Sequence, residues 1–143
     1  MTIVLKRVDD RLIHGQIVAG WVPHTKATRI VIADNEILNK PLQLKIARMA
    51  APPKLRVEIA SVRQAVALLT QQRSGPGLKT IMLFANLESA RQALEVGLQF
   101  SELNLGNIHN APGKIQIAGS ISLNQQEINC LYDLKQYLSL IHI

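Results

Sequence analysis

Aromatic side chains make up only 3% of this 143-residue chain, and cysteine occurs once. A lone Cys130 rules out a disulfide within the chain and leaves too few thiols for a cysteine metal cluster. It reads as a small buried hydrophobe in a reducing compartment. Apolar runs are no longer than a strand, far short of the ~20 residues that cross a bilayer, and Met1 leads into a polar start rather than a signal-peptide core. The chain is therefore expected to be soluble and cytoplasmic. Acidic residues are the scarcer charge, 10 against 16 basic, giving a net charge of +6 that favours anionic partners. Nucleic acid is not expected among them, because the basic residues are scattered and aromatics to stack bases are few.

What is abundant is branched aliphatic residue, within a hydrophobic content of 48% that suits one compact domain over residues 1–143. Short apolar runs at 3–5, 27–33, 55–60, 79–84 and 102–106 have the composition of buried parallel strands. Segments with helical spacing lie between them: Leu42, Leu44, Ile46 and Met49; then Val62, Ala65, Val66, Leu68 and Leu69; then Leu87, Ala90, Ala93 and Leu94. Ser61 with Gln64, and more loosely Asn124 with Glu127, mark helix starts. The fold class expected is α/β, a mainly parallel sheet with helices on both faces, right-handed crossovers and a candidate site in the loop after strand one. RSGPGLK (73–79) and NAPGK (110–114) read as loops, and KIQIAGSISL (114–123) as strand or hairpin material broken at Gly119.

That first loop carries DDRLIHGQ, residues 9–16, with two carboxylates, an arginine and a histidine followed by glycine. Metal binding by His14 with Asp9, Asp10 or His109 is disfavoured by the permanent cation of Arg11 within the cluster. General acid/base work by His14 is chemically sound, but no serine or cysteine nucleophile stands in a recognisable elbow nearby. A third reading makes the imidazole a phosphoryl acceptor. A carboxylate can fix its tautomer, Arg11 can pair with phosphoryl oxygens, and Gly15 with the following helix start leaves room and amides for an anion. The bland alternative is a surface salt bridge between Asp10 and Arg11, with His14 capping a turn. Arg7, Asp34, Asn107 and His109 leave the same ends of their strands and are candidates for one rim.

RVDDRLIHGQ (7–16), with Trp21 after it, resembles the opening of the mannose/fructose/sorbose/N-acetylgalactosamine-type IIB component of the bacterial sugar phosphotransferase system (PTS). The resemblance runs over about residues 2–138. It takes in Asp34-Asn35, AAPP (50–53) before LRVEI, KTIMLF, and LNLGNIHNAPGKIQI (103–117). It implies a phosphotransferase component whose His14 accepts a phosphoryl group from a IIA phosphohistidine, at Nδ1, and passes it to a sugar held by the membrane components IIC and IID. It also implies that Arg11 stabilises the transferred group, that Asp9 or Asp10 orients the ring or loop, and that no metal or other cofactor is needed. A cytoplasmic protein peripherally associated with IIC/IID would follow, its sugar a hexose or an amino sugar. Its basic balance would make docking to IIA salt-sensitive. A homodimer is one open oligomeric state.

A non-catalytic regulator that senses phosphorylation state, and a metal-dependent hydrolase, are the alternative functions. His109 reads equally as a rim residue or as a loop histidine bonded to neighbouring backbone. His24 reads as exposed and without companions, His142 as uninformative, Trp21 as core packing, and Lys79 and Lys114 as solvated. Family members run past the last helix into a further strand and tail. Here YDLKQYLSLIHI (132–143) reads as a shortened C-terminal end, with LSLIHI as a short final strand.

Overall fold

The structure is a computed structural model and describes residues 2–71 and 78–143. The expected loop at 73–79 lies, up to residue 77, outside the described residues. Six strands form one sheet: β1 (Thr2–Asp9), β2 (Arg29–Ala33), β3 (Arg56–Ala60), β4 (Lys79–Phe84), β5 (Glu102–Asn107) and, completing the order β3-β2-β4-β1-β5-β8, the late strand β8 (Leu140–His142). Every pairing in it is parallel. The segment read as hairpin material is one: β6 (Ile115–Ala118) and β7 (Ile121–Leu123) pair antiparallel. Ile108 bonds to Ser120 and Ser122 through backbone, tying that hairpin to the end of β5.

Strand alternation divides the apolar residues between two cores. In β2, Val31 and Ala33 face one cluster while Ile30 and Ile32 face the other, and β4 does the same with Met82 and Phe84 against Ile81 and Leu83. The first core is closed by three helices, α3 (Val62–Gln71), α4 (Leu87–Glu95) and α5 (Gln125–Lys135). The second is closed by the π-helical segment Gln16–Trp21, which runs directly into α1 (Val22–Thr25), and by α2 (Pro41–Ala50). Helices on both faces are thus observed. Asn124 and Glu127 form a full reciprocal capping box at α5, and Ser61 with Gln64 makes the corresponding pair of bonds before α3.

Helix α2 departs from its sequence pattern. Leu42, Ile46 and Met49 face solvent, at 71%, 55% and 73% exposure, and only Ala47 is buried. The spacing is helical, but the helix rests on the sheet through its smallest residue, so the large apolar side chains project outward beside Lys45 and Arg48.

The chain leaves β1 toward β2 on one side, whereas β5 leads toward β8 on the other. Adjacent strands whose continuations diverge leave a crevice at their carboxyl ends. In this sheet that crevice lies between Asp9 and Asn107, which are register partners across β1 and β5.

Candidate functional site

Asp9 is the last residue of β1 and its side chain is wholly buried. Its Oδ2 accepts from Arg7 Nε at 3.1 Å, His14 Nε2 at 2.9 Å and Asn107 Nδ2 at 3.1 Å, and its Oδ1 accepts the Arg11 amide at 3.0 Å. Three of these partners, the Arg7 guanidinium, the Asn107 amide nitrogen and the Arg11 backbone amide, can only donate, so both carboxyl oxygens serve as acceptors. The loop then reverses tightly, the Leu12 amide donating to the Asp9 carbonyl at 3.1 Å. Leu12 adopts a left-handed backbone, φ 55°, that costs a leucine about 1 kcal/mol or more. Ile13 is buried in the second core with Leu12 against it, so apolar packing holds the strained turn.

His14 follows that turn with its side chain 10% exposed. Because a carboxylate can only accept, the His14–Asp9 contact places a proton on Nε2, and in the neutral imidazole the lone pair is then on Nδ1. Among the described residues Nδ1 has no hydrogen-bond partner. Gly15 has ordinary helical dihedrals, and a side chain there would meet nothing within 4 Å. Neither a backbone demand nor a close contact outside its chain neighbours requires glycine at this position. The helical segment that begins here has no side-chain cap.

Arg7 is almost wholly buried and faces the same side of β1 as Asp9. Besides Asp9 it donates to Asn104 Oδ1 at 2.5 Å and Gln16 Oε1 at 2.8 Å, and its guanidinium lies 5.7 Å from the Trp21 ring centre. Gly106 falls at a register irregularity of the β1–β5 ladder, and the Arg7 guanidinium fills the volume that a Cβ there would take. Only glycine admits this arginine.

Asp10 and His109 form a second pair at the mouth. Asp10 Oδ2 accepts from the His109 amide at 2.7 Å and from His109 Nδ1 at 2.5 Å. Lys114 donates to the His109 carbonyl at 3.1 Å and reaches Glu127 Oε1 at 3.3 Å, fastening this loop to the start of α5. Lys114 is therefore a structural latch rather than a solvated cation. Arg11 is exposed, and among the described residues its guanidinium has no hydrogen-bond or ion-pair partner. It lines an open cleft of about 480 Å³ with Asp10, Asn107, His109, Ser120 and Ser122.

The structure thus brings Asp9, Asp10, Arg11, His14, Gly15, Arg7, Asn107 and His109 together. Asp34 is set apart: its Oδ1 accepts the Glu36 amide at 3.1 Å, and β4 separates its strand from β1. Four residues gained roles that the sequence reading had not given them. Asn104, Gln16 and Gly106 surround Arg7, and His142 Nδ1 lies 3.1 Å from Asn104 Nδ2. His24 also has a companion, an edge-on contact with Trp21 at 6.0 Å between ring centres. Among the described residues no group of three or more His, Cys, Asp or Glu is placed to hold a metal, and no helix is long and apolar enough to cross a membrane.

This is a parallel α/β protein with two carboxylate-bonded imidazoles, His14 and His109, at the crevice of its sheet, and similarity to known proteins specifies its class. Residues 3–140 match the family model for the PTS system sorbose subfamily IIB component. The sorbose-specific EIIB component of Klebsiella pneumoniae is 34% identical over 135 residues, covering 94% of this chain and 81% of its own. The crystal structure of the IIBSor domain of the sorbose permease from the same organism superposes with a TM-score of 0.88 at 33% identity, over 100% of this chain and 88% of that one. The mannose-specific EIIAB component of Escherichia coli K12 is 26% identical over 94% of this chain and 41% of its own. The chain belongs to the sorbose subfamily of PTS IIB components. It is accordingly a phosphocarrier and phosphotransferase component that works with other PTS components in sugar transport.

Proposed function

We propose that His14 is the phosphoryl acceptor of this IIB component, taking the group from a IIA phosphohistidine and giving it to a sugar at IIC and IID. The observation that carries this reading is the His14–Asp9 contact at 2.9 Å, which leaves Nδ1 as the free nucleophile, three positions after the exposed Arg11. In the step, the Nδ1 lone pair forms a bond to phosphorus while the donor's N–P bond breaks and its electron pair returns to the donor ring. The positive charge that grows on the His14 ring lies against the Asp9 carboxylate. Arg11 and the uncapped amides after His14 can meet the phosphoryl oxygens. Such chemistry needs positioning and charge stabilisation, which these side chains supply without a metal.

For the second half of the relay, a sugar hydroxyl attacks phosphorus, the N–P pair returns to Nδ1, and the hydroxyl proton is released to solvent. The EIIAB composition of the mannose relative favours a IIA donor. The sorbose and mannose specificities of relatives favour a hexose-type sugar, with an N-acetylated amino sugar, as in another relative, as the alternative. Docking to IIC and IID would place the protein peripherally at the membrane, and an exposed basic-apolar helix such as α2 suits contact with a partner.

The test is intact mass after incubation with phosphoenolpyruvate, the two general PTS proteins and a mannose-type IIA. Wild type is expected to gain one acid-labile, base-stable phosphoryl group and His14→Ala none. Arg11→Ala is expected to remain an acceptor about 100-fold slower, the scale for losing one charge-stabilising donor. Labelling of His14→Ala at the wild-type rate would overturn the assignment and move suspicion to His109.

A further inference from the structure

We propose that His142, on the last strand of the sheet, is a positioning residue of the acceptor site, acting on His14 through Asn104, Arg7 and Asp9. The inference rests on the reading of His14 as acceptor and concerns what keeps its proton on Nε2.

The direction of every bond in this array follows from chemistry. Arginine has donors only, so the contact of Arg7 Nη1 with Asn104 at 2.5 Å turns the amide oxygen toward Arg7. The amide nitrogen then points toward β8, 3.1 Å from His142 Nδ1. An amide nitrogen only donates, so that Nδ1 must be the unprotonated nitrogen of the ring. At the other end, the Arg7 guanidinium donates through Nε to the Asp9 oxygen that also receives Nε2–H from His14. One oriented chain therefore runs from His142 to His14 across three strands, β8, β5 and β1.

Two features make the array stiff enough to transmit a change. Asn104 and His142 are register partners in the β5–β8 ladder, so their approach is set by backbone pairing. Arg7 is confined between Gly106, Gln16 and Trp21, and its guanidinium is planar, so displacement of its Nη1 end moves its Nε end against Asp9. Without an acceptor at 142, the Asn104 amide is free to turn and present N–H groups to Arg7, which has nothing to accept them. Arg7 then loses its anchor, Asp9 its fixed orientation, and the His14 proton can move to Nδ1, where it removes the nucleophilic lone pair.

The experiment compares wild type, His142→Leu and His142→Asn at one pH. It uses nitrogen-15 chemical shifts of the His14 ring, the rate of phosphoryl acceptance from IIA, and melting temperature. Leucine keeps an apolar strand residue without an acceptor, and asparagine restores an oxygen close to the position of the imidazole Nδ1. Expected are an Nε2–H pattern for wild-type His14, a shift toward mixed tautomers with roughly 10-fold slower acceptance in His142→Leu, and recovery of both in His142→Asn. A purely structural role would lower the melting temperature and leave the ring signals of the folded fraction unchanged. Identical His14 shifts and rates in folded His142→Leu and wild type would overturn the inference, as would His142→Asn behaving like His142→Leu. Failure of wild type itself to take the label counts instead against His14 as acceptor, so the two failures are told apart.

Discussion

Asp9 and Asn107 stand 98 positions apart in sequence yet meet at 3.1 Å, the asparagine amide donating to the same carboxylate oxygen that receives His14. Pairing of β1 with β5 is therefore a condition for the orientation of the imidazole, and the shared oxygen is where fold and chemistry join.

Asp9→Asn keeps the shape of the side chain and replaces an acceptor by a donor that faces Arg7 and His14. Phosphoryl acceptance is expected to fall about 100-fold or more, as when an imidazole loses its orienting carboxylate. The buried Arg7 would also lose its ion partner, destabilising the protein by roughly 3–5 kcal/mol. Rate of labelling and urea denaturation measure the two effects separately.

Gly106→Ala puts a methyl group into the volume held by the Arg7 guanidinium. The expected loss is about 2–4 kcal/mol, from a displaced buried charge and local overpacking. In an Arg7→Ala background the same glycine substitution should cost almost nothing further, because its steric opponent is gone. Equal costs in the two backgrounds would show that Arg7 is not what the glycine accommodates.

Cys130 is 8% exposed, and burial raises its thiol pKa to about 11. The unfolded chain loses this proton near the ordinary thiol range, whereas the folded chain keeps it, so stability is full below about pH 9 and declines as pH rises toward 11. Cys130→Ala should flatten that part of a stability-against-pH curve. Alkylation by iodoacetamide at pH 8 should be slow in the folded protein and fast after denaturation.

Much of this architecture was legible in local patterns. In β2, fully buried, residues 30–33 read as a continuous apolar run after Arg29, and both helix-start signatures, at Ser61 and Asn124, proved to be real pairs of bonds. The motif around His14 was legible for the same reason, since its residues lie within one turn of each other. What escaped were relations that local spacing does not encode. Arg7 with Asn104, and Asn104 with His142, are joined only by strand order, over separations of 97 and 38 residues. The outward face of α2 escaped because periodicity gives the width of an apolar stripe and not the side of the helix that touches the sheet. The π-helical geometry of Gln16–Trp21 has no residue signature that separates it from an α-helix.

The register of β1 against β5 also bears on how the protein comes into being. His14 and its loop are synthesised before the residues that steady the carboxylate, Asn107 directly and Asn104 through Arg7, which follow at separations of 98 and 97 residues from their partners. Contacts of such long sequence separation form late and slowly. A nascent or partly folded molecule thus carries the acceptor imidazole without the surroundings that prepare it, so competence to take a phosphoryl group would report completed folding, and unfinished chains would be kept out of the relay.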